Sequence, residues 1–91
     1  MLRITTRAEA TETVFELEGT LTGLWVRELE RCWEEASRQE RPVKVMLKTV
    51  TFVDPEGRKL LTRMHGSGAK LAAEGCMTRA IIDQIVGGRN S

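Results

Sequence analysis

The chain has 91 residues, 41% of them apolar and 30% charged, which fits one small domain with a modest core and argues against global disorder. Fourteen Lys and Arg against thirteen Asp and Glu leave a formal charge of +1, which argues against nucleic acid or an anionic membrane as the main partner, since both select a strong positive excess. No run approaches the roughly 20 apolar residues that span a bilayer. The start, Met1-Leu2-Arg3-Ile4-Thr5, alternates too early to be the apolar stretch of a secretory signal, so a cytoplasmic protein without membrane insertion is expected.

Leu2 and Ile4 alternate with Arg3 and Thr5, the period of a half-buried strand. Residues 8–12 are small or polar and predict a turn. Phe15 and Leu17 then share one face of a second strand, Glu16 and Glu18 the other, with Gly19 as its end. Two short strands with a short connection pair antiparallel.

Thr22 is the predicted N-cap of a helix from Leu24 to about Gln39. Trp25, Leu29, Cys32 and Ala36 form its apolar stripe, with Val26 and Trp33 beside it and an i,i+4 pair expected between Glu34 and Arg38. Both tryptophans are expected to pack this helix on a sheet. Arg41-Pro42 breaks the helix, and Val43, Val45 and Leu47 mark a third strand that Val50, Phe52 and Val53 extend.

From Pro55 the pattern is helical, with Leu60, Leu61 and Met64 facing the core and Gly66 and Gly68 closing the helix. Ala69–Ala73 predicts a short strand, and Thr78–Val86 a last helix carrying Ile81, Ile82 and Ile85. Residues 1–86 thus make one domain, and 87–91 a frayed tail. Helices between the last three strands require parallel pairing through right-handed crossovers. The fold class is a single-domain α/β sandwich: a mixed four-stranded sheet with an antiparallel N-terminal hairpin, then parallel βαβαβ, and about three helices.

Cys32 and Cys76 lie far apart in no metal-ligand spacing and are expected as reduced, partly buried thiols. His65, the only histidine, sits near a helix end beside glycines, where a structural role is expected. No acid/base pair, nucleophile elbow or metal-ligand set is present, so catalytic residues, cofactor and metal are all expected to be none.

The junction Asp54-Pro55-Glu56-Gly57 carries the most chemistry. Asp54 is a strong N-cap, Pro55 suits the first helical position, and Glu56 places negative charge at the positive end of the helix dipole. Gly57 in the first turn, where Ala is better by up to ~1 kcal/mol, predicts the close approach of a neighbouring segment or of a partner's backbone. Arg58, Lys59, Thr62 and Arg63 form the polar face of the helix, a solvated surface or a partner-facing one. A phosphate at the helix start is a further reading, opposed by Asp54 and Glu56, which repel an anion, and by the lack of a glycine-rich loop.

Thr51-Phe52-Val53-Asp54, two residues, then Gly57 and an amphipathic helix resembles the STAS domain, known best from bacterial anti-sigma-factor antagonists. Phe15-Glu16-Leu17-Glu18-Gly19 is similar to the family's second strand and its glycine, and Arg41-Pro42-Val43 to the start of its central strand. The Gly66–Ala73 segment and the Ile-rich helix follow in the family's order. The resemblance implies a phospho-acceptor Ser or Thr immediately before the glycine, modified by a partner kinase that doubles as the anti-sigma factor. A phosphate there adds roughly −1.5 to −2 charge at a binding surface.

This chain departs from the pattern at that place. Pro55 and Glu56 fill the two positions, and Glu56 puts a fixed, phosphomimetic charge where the acceptor would be. Met46 and Lys48 replace the acidic and hydroxyl residues frequent near the end of the family's central strand. Thr49, Thr51 and Thr62 are nearby hydroxyls with no context that favours one. The resemblance also implies that the chain stops before the last strand and helix of longer members, leaving an edge or groove for a partner or for a second copy in a homodimer.

The expected function is a non-enzymatic interaction module, active in signalling and transcription regulation. It binds a protein partner through Asp54, Pro55, Glu56, Gly57, Arg58, Lys59 and Thr62 without the usual serine switch. The resemblance implies an anti-sigma kinase-like partner or, alternatively, the subunits of an ABC lipid transporter. Binding of a small anion or nucleotide at the helix N-terminus is the alternative of another class.

Overall fold

The computed structural model describes residues 1–74 and 76–87 and has seven elements in the predicted order. They are β1 (Leu2–Ala8), β2 (Thr13–Leu21), α1 (Leu24–Ser37), β3 (Val43–Val53), α2 (Pro55–Gly66), β4 (Lys70–Ala73) and α3 (Cys76–Gly87). The sheet order is β1-β2-β3-β4, with β1 and β2 antiparallel and β2-β3 and β3-β4 parallel. This is the predicted mixed sheet. α3 reaches Gly87, one residue beyond the expected domain limit, and the rest of the expected tail lies outside the described residues.

One apolar core joins the sheet to all three helices. Phe15, Leu17, Leu21, Val45, Leu47 and Val50 supply it from the strands, Val26 and Leu29 from α1, Leu60, Leu61 and Met64 from α2, and Ile82 and Ile85 from α3. Strand side chains alternate, so the other face of the sheet carries Arg3, Thr5, Arg7, Glu16, Glu18, Lys44, Met46, Lys70 and Ala72. No described helix packs on that face.

Several local expectations change. Gly19 does not end β2, which runs on to Leu21. Its φ of 113° and the carbonyl of Met1, which a Cβ would meet at 2.2 Å, make glycine necessary in mid-strand. On β3 the period of two fails after Leu47. The register passes from Leu17↔Leu47 to Glu18↔Thr49, and from Gly19↔Val50 to Thr20↔Phe52, so Lys48 and Thr51 are bulge residues. Each extra residue resets the alternation, which places Leu47, Val50 and Val53 on the core side and turns Phe52 out at 55% exposure.

α1 also differs. Its buried residues are Val26, Leu29 and Ala36, with Cys32 and Trp33 half-buried, while Trp25 lies at the solvent edge of the stripe at 37% exposure. Trp33 packs against the core as expected; Trp25 does so at most with part of its ring. The expected Glu34–Arg38 pair is not formed among the described residues, where Arg31 pairs with Glu28 instead. Burial, and secondarily the charge of Glu28, push the Cys32 thiol up, which keeps it protonated. The Cys76 side chain lies outside the described ones.

Leu60 is 2% exposed and faces this core from α2. Leu60→Ala is expected to lower the unfolding free energy by about 2–5 kcal/mol, read from the urea midpoint at constant slope. A loss under about 1 kcal/mol would show that α2 does not carry the core in this way.

Candidate functional site

The parallel strands end at the edge where α1 and α2 begin, the edge at which open α/β sheets bind their ligands. Asp54 stands there in an extended conformation, φ −78° and ψ 172°, as N-cap of α2. Its Oδ1 accepts from the Gly57 N–H at 2.7 Å, the predicted cap. Its Oδ2 accepts from the Gly23 N–H at 3.1 Å, at the start of α1. Thr22 is therefore not the cap of α1: Gly23 is the N-cap residue, without a side-chain bond of its own, and the acceptor comes from β3–α2 instead. Sequence spacing held no signal for this bond, which crosses 31 positions.

The Asp54 N–H donates to the Leu21 carbonyl at 3.1 Å, which closes the end of β2 onto the same residue. Gly57 explains itself at this point. A Cβ there would lie 2.8 Å from the Leu21 carbonyl oxygen and 3.0 Å from Leu21 Cγ and Val53 Cγ1. The predicted close approach is thus made by a neighbouring segment of the chain. Gly57 is buried and Asp54 half-buried, so both position the junction, while Pro55, Glu56, Arg58, Lys59 and Thr62 stand exposed around it.

Glu56 pairs with Lys59 at 3.5 Å, both side chains being at least 70% exposed. Such a pair contributes little to stability. The Thr62 hydroxyl donates to the Arg58 carbonyl at 2.8 Å and that of Thr51 to Gly19 at 3.5 Å, so each has a backbone partner. Arg63 reaches Glu30 across the helices at 2.7 Å and lies 5.6 Å from the Trp33 ring centroid. Beside this bridge, α1 and α2 enclose an open groove of about 650 Å³ whose walls include Leu24, Arg27, Glu56 and Lys59.

Sequence reasoning missed the apolar part of this edge. Met1, Leu24, Trp25 and Phe52 are the exposed large hydrophobic residues among those described. All lie at this end: Leu24 and Trp25 follow Gly23, Phe52 is two residues before Asp54, and Met1 bonds to Thr20, the register partner of Phe52. The signal available was weak, since Phe52 read only as an extension of the apolar run of the third strand.

Capped helix starts, exposed apolar side chains and an open groove with charged walls thus meet at one edge of a two-layer α/β scaffold. Comparison with solved structures gives that scaffold its class. The chain superposes on an anti-sigma factor antagonist from Mycobacterium paratuberculosis with a TM-score of 0.81 at 18% identity, over 99% of this chain and 81% of that one. It also matches Mglu (TM-score 0.62, 18% identity, 79% of this chain and 19% of that one). An uncharacterized protein with a SpoIIAA-like fold from Shewanella loihica matches with a TM-score of 0.52 at 10% identity, over 92% and 93% of the two chains. No family model and no curated protein matches the sequence. The chain is a STAS-like domain in fold, with the architecture of an anti-sigma-factor antagonist.

The dual role of Asp54 orders its variants. Asp54→Ala strips the acceptor from two helix starts and is expected to cost about 1–3 kcal/mol. Asp54→Asn keeps one carbonyl oxygen for Gly57 but offers Gly23 an NH₂ group, so its stability should fall between wild type and Asp54→Ala. Thr22→Ala should change stability by less than about 0.5 kcal/mol. Urea denaturation of the three variants checks the order. Equal losses for Asn and Ala, or a large loss at Thr22, would contradict the double cap.

Proposed function

We propose that this STAS-like domain is a non-enzymatic regulatory module that binds a protein partner through the start of α2 and the adjoining groove. The observation that carries the reading is the presentation of Glu56. It stands exposed in the first turn of α2, between Asp54 and Gly57, whose bonds and burial fix the backbone on either side. Little of its own stability depends on it. A charged group so placed serves recognition better than folding.

Pro55, Arg58, Lys59 and Thr62 complete the partner-facing surface, and Asp54 and Gly57 hold it in place. The fold shared with an anti-sigma factor antagonist supports a regulatory partner of the anti-sigma kinase-like type. Glu56 stands where such a partner's kinase activity would act and offers no hydroxyl, so association through this surface is constitutive and the domain carries a phosphomimetic charge. The same surface would serve a subunit of an ABC transporter, which the test below separates by the identity of the captured protein. Binding of a small anion at the helix start is disfavoured, because Asp54 already occupies the Gly57 N–H. We place the module in the cytoplasm with such partners; no helix among the described residues is long and apolar enough to cross a membrane.

Glu56→Lys should leave the unfolding midpoint within about 0.5 kcal/mol of wild type, as surface changes do, and should abolish or strongly weaken capture of the partner. Paired pull-downs with the two proteins as baits, read by quantitative mass spectrometry, test this. A kinase-like protein or a transporter subunit held by wild type alone is the expected result. Identical captures on both baits would remove the function from the Asp54–Gly57 junction.

A further inference from the structure

The nearly neutral net charge conceals an uneven distribution. The sheet face left bare by the helices carries Arg3, Arg7, Lys44, Lys48 and Lys70 against Glu16 and Glu18. Five cations and two anions give this face +3, so the rest of the chain carries −2 of the total +1. Glu16 is bound to Arg7 at 2.9 Å. Arg3, Lys44, Lys48 and Lys70 make no ion pair with any described residue, although Arg3 stands opposite Glu18.

Lys44 and Lys70 are direct register partners on β3 and β4. Like charges in that relation oppose strand pairing. At one end of the same face Phe52 is 55% and Met1 86% exposed. Both lie on this side because Leu2 and Val53, their neighbours, point into the core.

We propose that this bare sheet face docks on an anionic phospholipid bilayer. Arg3, Lys44, Lys48 and Lys70 meet the headgroup phosphates, and Phe52 with Met1 enters the headgroup boundary. The cations stand at both ends of the face, with Thr5, Glu16, Met46 and Ala72 in the row between them and Glu16 held by Arg7, so the complement is a plane of negative charge and not a single anion. Exposed apolar residues beside cations are what a surface-bound protein inserts. A single-stranded nucleic acid fits less well, because bases need a row of aromatic platforms. Phe52 is alone here, for Phe15 lies in the core and Trp25 and Trp33 are on α1. The polar side of α2 belongs to the opposite layer, so docking through Phe52 and Met1 leaves Glu56 and the groove beside Leu24 free for the protein-binding role.

Co-sedimentation of the full chain with vesicles of phosphatidylcholine, and of phosphatidylcholine mixed with phosphatidylglycerol, tests the proposal. Binding is expected to the mixed vesicles only, and to fall as salt is raised. Lys70→Glu places an opposite charge beside Lys44, so the fold should be as stable as wild type or more so. Lys70→Glu combined with Lys48→Glu should weaken vesicle binding by about tenfold or more, with an unchanged far-UV spectrum. Glu56→Lys should not reduce it. Absence of binding to the mixed vesicles, equal binding by the double variant, or tighter binding of a single-stranded oligonucleotide than of the vesicles would overturn the proposal.

Discussion

The carboxylate of Asp54 is the group that holds together the edge at which α1 and α2 begin. One oxygen takes the Gly57 amide and the other the Gly23 amide, while its own N–H closes on Leu21. The ends of β2 and β3 and the starts of α1 and α2 thus meet at one residue. The positive ends of two helix dipoles point there, which is why an ionised acceptor suits the place better than a neutral one. Gly57 belongs to the same constraint. Only a residue without Cβ lets the first turn of α2 come down on the Leu21 carbonyl. If α2 were lifted by the width of a methyl group, the geometry of both caps would go with it.

This constraint makes the exposed surface specific. Glu56 has no strong partner of its own, and its position is set by its two neighbours in sequence. The Arg63–Glu30 bridge and the ring of Trp33 then fix α2 against α1 further down, so the groove between them has a defined width. Rigid presentation lowers the ordering cost of binding. The same rigidity explains how a first turn containing glycine, poor by propensity, is tolerated: the packing of Leu60, Leu61 and Met64 outweighs it.

Much of the scaffold was legible in the sequence, and the misses share a cause. Alternation through Leu47, the helical spacing of Leu60, Leu61 and Met64, and the cap signature at Asp54 are local patterns, and each is met in the structure. Thr22, Phe52 and the continuation of β2 past Gly19 depend on contacts between segments far apart in the chain. Thr22 has the right chemistry for a cap, but a carboxylate 31 positions away from Gly23 takes the role. Phe52 shares the core phase of Val50 only if no bulge stands between them, and one does. Trp25 was misplaced for a subtler reason: a helix on a sheet buries a stripe centred on Val26, Leu29 and Ala36, and hydrophobicity alone does not say on which side of that stripe the large rings end. The cap at Asp54 was legible in the sequence, but the exposed apolar residues around it were not.

Net charge describes the whole chain and not where its charges stand. A value of +1 excludes a polyanion partner only if charges are evenly spread. In a two-layer fold they need not be, because no described helix covers one face of the sheet and five cations stand on it against two anions. The separation has a consequence for the proposed function. Glu56 presents its charge on the helical layer and the bare sheet face presents cations on the other, so a partner at α2 and one at the sheet need not compete. A phosphate would carry roughly −1.5 to −2 charge and three acceptor oxygens, whereas Glu56 carries one charge partly countered by Lys59 at 3.5 Å. On the proposed reading, a partner at α2 therefore meets a weak and permanent version of the modified state, and its grip must come from the groove and from Leu24 more than from charge. Regulation at this edge would then act through how much of the domain is present and where it is held, since its own surface offers no hydroxyl at the switch position to change.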